Sequence, residues 1–123
     1  MFELKPLSKD AVPAALEKAQ RYRVLNEPLE AESICLDVLE LDAKNPDALV
    51  TLILALTDQF QYRLSETFDR ARHLLERLPD EYSRAYYRGI VHERNAKARL
   101  RQSTPGSSFA AYDYFREAME SPD

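Results

Sequence analysis

The sequence predicts an all-α protein, six helices paired into three hairpins. Three observations carry that expectation. Apolar residues recur at three- and four-residue spacing in segment after segment, the period of an amphipathic helix. Short corners built on proline or asparagine separate the segments, at Asn26–Pro28, Asn45–Pro46 and Pro79–Asp80. Only 2 glycines occur in 123 residues, whereas sheet-rich chains and phosphate loops need more for turns with positive φ.

The elements follow in order. Residues 1–11 read as an arm and cap, with Phe2 and Leu4 free to pack on the first helix and Ser8 or Asp10 to cap it. Val12, Leu16, Ala19 and Tyr22, with Ala15 beside them, form one stripe of a helix ending near Leu25. Pro28 suits the first position of a second helix to Leu41, since no N–H is needed there. Its inner face is Ala31, Ile34, Cys35, Val38 and Leu41; Glu27, Glu30 and Glu32 suit its N-terminal dipole. A third helix, Pro46 to about Phe60, is apolar on nearly every side, so it is expected to be central. Ser65 offers a cap for a fourth helix, about 66–78, with Phe68, Ala71, Leu74, Leu75 and Leu78 inward. The fifth helix is expected over about 81–101, packing through Tyr82, Ala85, Tyr86, Gly89, Ile90 and Leu100. Residues 103–108 read as a loop and 109–119 as a sixth helix using Ala111, Tyr112, Phe115 and Ala118.

A repeat underlies the first three helices. Ala15 and Leu49, Leu16 and Val50, Ala19 and Ile53, and Tyr22 and Leu56 are all 34 residues apart. Ala19 and Tyr22 take a small and a large packing position, Ala31, Cys35 and Val38 follow in the next helix, and Asn45-Pro46-Asp47-Ala48 restarts the unit. A helix-turn-helix unit of this period resembles the tetratricopeptide repeat. The resemblance covers about residues 12–120, in units of about 12–45, 46–80 and 81–120. It implies a right-handed α-α superhelix. The large first aromatic of the family is absent, with Ala15 and Leu49 in its places. In the second unit a strict period puts Ser65, Asp69 and Arg72 at packing positions. An insertion that brings Thr67 or Ala71 to the small position repairs this. In the divergent third unit Gly89 falls at the close-contact position. The chain stops after the sixth helix without the usual capping helix. That leaves two readings: the first part of a longer protein, or an end face covered by a partner, a second copy included.

The resemblance also implies function: a concave groove lined by the first helix of each unit, which grips a peptide or helix of another protein. The lining that it implies is Leu16, Glu17, Gln20, Arg23 and Val24, then Val50, Thr51, Leu54, Thr57 and Asp58, then Tyr86, Tyr87, Ile90, Glu93 and Arg94; Gln20, Arg23, Thr51, Leu54, Thr57, Tyr86, Tyr87 and Arg94 are the candidate partner contacts. Relatives that grip C-terminal carboxylates use Lys and Asn where this chain has Leu16, Gln20 and Val50, which disfavours that ligand. The expected role is an adaptor or scaffold; the alternatives are a chaperone or assembly factor for a secreted or membrane partner, and binding of RNA or an acidic ligand. The last rests on the helix about 82–102, where Arg84, Arg88, Arg94, Lys97, Arg99 and Arg101 face Glu93 alone. Their exposed-face spacing and a net charge of −4 make nucleic acid an unfavoured partner.

Enzyme readings find no purchase. His92-Glu93 opens a zinc-protease pattern, but Ala96 stands where the second histidine belongs. Cys35 lies at a packing position with no base nearby in the sequence, and its being single excludes an internal disulfide. No catalytic, metal or cofactor site is expected. The longest apolar run, Leu52–Leu56, is too short to span a bilayer, and the first ten residues lack a signal-peptide pattern. A cytoplasmic location is the expectation.

Overall fold

The computed structural model describes residues 7–103, which fold into five α-helices. These are α1 (Val12–Val24), α2 (Pro28–Leu41), α3 (Pro46–Thr57), α4 (Phe60–Leu75) and α5 (Glu81–Ser103), preceded by a 3-10 turn at Lys9–Ala11. No strand occurs among the described residues.

Local chemistry sets the corners. After α1, Asn26 adopts φ 61°, the left-handed region that asparagine tolerates better than most residues. This lets Glu27 N–H reach the Tyr22 carbonyl at 2.8 Å, closing the helix end before Pro28 opens α2. Asn45 caps α3, its side-chain oxygen accepting from Ala48 N–H at 3.0 Å, with Pro46 in the first turn. Asp80 does the same for α5, accepting from the Ser83 N–H at 2.7 Å and the Ser83 hydroxyl at 2.9 Å. Neither Ser8 nor Asp10 caps α1: the residue before it is Ala11, and no side chain bonds that end.

α3 is the centre. It packs against all four other α-helices. Leu49, Leu52, Ile53, Ala55 and Leu56 are all within 1% of full burial, as the apolar pattern on every face requires. α1, α3 and α5 touch in sequence as one row, and α2 and α4 each pack between members of that row. Ala31, Cys35 and Val38 of α2 are buried, and so are Thr67, Ala71 and Leu74 of α4, each 36 residues later. That spacing is two residues longer than the 34-residue period of the first three helices.

Three expectations are corrected. α3 stops at Thr57 instead of Phe60. Asp58 and Gln59 turn the chain, their N–H groups bonded back to Leu54 and Leu56. α4 then begins at Phe60, not after Ser65, which is exposed inside the helix. The α4 backbone kinks at Arg63 (φ −143°, ψ 54°), and the buried Thr67 hydroxyl donates to the Arg63 carbonyl at 2.6 Å. The third correction concerns the phase of α5. Val91 and Ala98 are its buried residues and Tyr87 packs on the core, while Tyr82 (78% exposed), Ala85, Tyr86 (54%) and Gly89 face outward. A Cβ on Gly89 would meet nothing within 4 Å among the described residues, so none of them makes a close contact at that position. The arm at 1–6, most of the 103–108 loop and the sixth helix at 109–119 lie outside the described residues.

Candidate functional site

Beyond its first turn, α3 reaches solvent through one stripe: Val50 and Leu54, followed at the corner by Asp58, all half-buried. The four-residue spacing keeps them on one side of the row formed by α1, α3 and α5. α1 brings Arg23 to the Asp58 end of the stripe, and α5 brings Arg94 to it from the other side.

One carboxylate ties the three helices together. Asp58 accepts two hydrogen bonds from Arg23, from Nε at 2.8 Å and from Nη2 at 3.2 Å. This is the paired, planar geometry in which a guanidinium holds a carboxylate best. Arg94 approaches the same carboxylate from α5, with Nη1 3.6 Å from Oδ1. Its shorter bond goes to the Thr57 hydroxyl, at 2.6 Å, and that hydroxyl in turn donates to the Leu54 carbonyl at 2.7 Å. Two arginines thus share one aspartate, and the cluster carries a surplus positive charge.

Clefts flank Asp58 on both sides. One, of about 280 Å³, runs along α5 and is lined by Gln61, Arg94, Lys97 and Arg101 among others. The other, of about 330 Å³, lies at the α1–α2 corner, among Arg23, Val24, Asn26 and Gln61. Towards the other end of α5 the tyrosines touch each other. Tyr82 and Tyr86 stack at 6.4 Å between ring centroids, and Tyr86 meets Tyr87 edge-on at 5.0 Å.

Of the residues singled out from the sequence, Arg23, Thr57 and Arg94 are brought together at Asp58. Gln20 and Tyr86 are exposed, and Leu54 and Tyr87 are partly buried. Thr51 is not a surface residue at all: at 4% exposure it belongs to the core. Thr57 is also buried and acts on the surface only by positioning Arg94. Gln61 and the cleft it lines were not legible, because the α3–α4 corner carries no proline or glycine to mark which side chains turn outward.

No group of three His, Cys, Asp or Glu side chains among the described residues could hold a metal ion. Burial pushes the Cys35 thiol up to about 12, overriding the opposing pull of Arg23, so it stays protonated and unreactive near neutral pH. His92 packs its ring edge-on to Phe68 at 5.7 Å. No helix among the described residues is long and apolar enough to cross a membrane. The cations of α5 have partners within the fold: Arg84 donates to the Leu78 carbonyl, Arg88 is 3.9 Å from Glu76, Lys97 pairs with Glu93 and Arg99 with Asn95. No family model matches the chain, and no curated protein or solved structure matches it either.

Proposed function

We propose that the chain is a non-catalytic scaffold of the tetratricopeptide type, which binds a peptide or helix of a partner protein along the row of α1, α3 and α5. The observation that carries this reading is the stripe Val50, Leu54 and Asp58, flanked by Arg23 and Arg94. An apolar floor gives a peptide side chain somewhere to be buried, and the surplus charge at Asp58 orients a ligand carboxylate at one end. The tyrosine cluster supplies rigid contact area at the other end, where aromatic anchors dominate binding energy. The 34-residue period and the offset of two in α4 support a superhelical array. The engagement of the α5 cations within the fold supports a protein partner ahead of RNA. The apolar stripe supports an interaction role over an enzyme.

The test is site-specific crosslinking in the cell of origin. A photoreactive phenylalanine analogue placed at exposed Gln20 or Tyr86 is expected to form a covalent adduct with a protein partner, and one at exposed Arg99 is not. Equal adduct yields from all three positions, or none from Gln20 and Tyr86, would count against the groove.

A further inference from the structure

The cleft of about 280 Å³ beside Asp58 is strongly cationic. Arg94, Lys97 and Arg101 stand at three- and four-residue intervals on α5, so they share one face of that helix. The α3–α4 corner supplies the remaining lining, including the exposed Gln61. Two hydrogen bonds tie α5 to that corner at either end of the stripe. Arg94 Nη1 donates to the Thr57 hydroxyl at 2.6 Å, and Gln102 Nε2 donates to the Phe60 carbonyl at 3.4 Å. A helix rise of ~1.5 Å per residue puts these ties roughly 12 Å apart. The fold therefore holds the cleft in place before any ligand arrives. Its charge is not balanced. Asp58 is the one carboxylate among the described lining residues, and Arg23 already bonds both of its oxygens. Arg23 and Arg94 against Asp58 leave one positive charge over. Arg101 makes a further interaction within the chain and is left out of that count. Lys97 pairs with Glu93 at 3.0 Å, but their side chains are 65% and 66% exposed, and an exposed pair of this kind is weak enough to exchange for a ligand carboxylate.

We propose that the partner segment is acidic, and that this cleft takes two of its carboxylate side chains, carried on alternate residues. This rests on the groove proposed along the α1, α3 and α5 row and adds the chemistry of what the groove selects. Measured along α5 from Arg94, the rise is ~4.5 Å to Lys97 and ~10.5 Å to Arg101. Alternate residues of an extended segment point the same way and lie ~7 Å apart. One carboxylate then meets Arg94 while the next falls between Lys97 and Arg101. Arg94 has the capacity: its described contacts with Thr57 and Asp58 use Nη1, and a guanidinium donates from three nitrogens. Other ligands fit less well. A basic segment would add charge to a site already in surplus. A nucleic acid bound as a single strand needs an aromatic face for its bases, and Phe60, the one aromatic among the described lining residues, is 2% exposed.

The experiment is a ¹⁵N–¹H titration of the chain at low salt with a blocked twelve-residue glycine–serine peptide bearing two glutamates on alternate residues. Companion titrations use the same peptide with glutamine for each glutamate, a peptide with its two glutamates six residues apart, inorganic phosphate, and a uridine dodecanucleotide. The expected result is a saturable shift of the Gln61, Lys97 and Ala98 amides with the alternating acidic peptide, weaker with the spaced one and absent with glutamine. Lys97→Glu, at an exposed position, weakens binding about tenfold or more, since a repulsion replaces a charge-assisted contact. Lys97→Arg retains it. The proposal is overturned if the glutamine or the spaced peptide shifts these amides equally, or if ten millimolar acidic peptide leaves them unmoved. It is also overturned if phosphate at the same concentration reproduces the shifts in full, which would make the cleft a site for any small anion, or if the oligonucleotide binds more tightly than the peptide. Adducts at Gln20 and Tyr86 with no shift in the cleft would remove the acidic preference and leave the groove. Shifts in the cleft with no adducts would remove the groove and leave the acidic site, so the two readings are judged separately.

Discussion

Asp80 shows how much a single side chain can decide. Its carboxylate takes the N–H of Ser83 and then the Ser83 hydroxyl, and these bonds hold its carboxyl below the usual range. A depressed folded-state pKa adds stability that is complete above the unfolded value, near 3.9, and is lost as pH falls through the folded value. Asp80→Ala is therefore expected to lower Tm at pH 7, and the gap from the wild type should close as the pH is taken from 5 to 2.5. Thermal melts of both proteins across that range test it. A gap independent of pH would mean that packing, not the carboxylate, holds the α5 start. Asp58 works at longer range. Its partners Arg23 and Arg94 come from helices on either side, and the 34-residue spacing brings Arg23 and the α3 end to matching positions without revealing that they pair. Side-chain pairing across helices depends on rotamers and tilt, which periodicity does not encode. The same holds for Glu32, whose link to Gln59 and Arg70 leaves no pattern in the sequence.

At the scale of elements, legibility follows the corner chemistry. Pro28, Pro46 and Asp80 mark helix starts by fixing φ or supplying a cap, and α2, α3 and α5 begin where those residues say. The α3–α4 corner has no such residue. Phe60, buried on the far side of the turn, falls four residues after Leu56, at helical spacing, so periodicity alone extends α3 too far. In α5 the bulk of Tyr82 and Tyr86 suggests inward-facing positions. The smaller Val91 and Ala98 set the phase instead, because α5 lies close against its neighbours there. Gly89 tests this directly. On an exposed helix face with open space around its Cα, glycine carries only its entropic cost. Gly89→Ala should raise stability by about 0.4–1 kcal/mol in urea unfolding. A loss would restore the close-contact reading and require a neighbour against that face.

For the whole molecule, the enclosure of α3 dominates. Ile53 is fully buried, and truncating such a residue typically costs about 2–5 kcal/mol through lost transfer energy and an unfilled cavity. Ile53→Ala should lower the unfolding free energy measured in urea by that amount, with helical signal and the environment of the tyrosines lost in one transition. Two separate transitions would mean that α1–α2 and α4–α5 hold together without α3. The all-helical class and the central helix were legible because they follow from composition and periodicity summed over many residues. The candidate site was legible in part: the repeat put Arg23, Leu54 and Arg94 on one lining, but it could not tell that Thr51 is interior.

The four-sided burial of α3 also bears on how such a chain can change length over evolution. A long helical array grows or shrinks by whole units, because each interior unit resembles the next and its removal rejoins equivalent surfaces. Here residues 46–80 contain α3, against which α1, α2 and α5 all pack. Excising residues 46–80 would bring together faces of α2 and α5 that were never shaped for each other. Over the described residues the protein is thus indivisible, and variation in its lineage should appear as additions beyond the outer helices and as loop changes at corners such as 57–60, not as loss of residues 46–80.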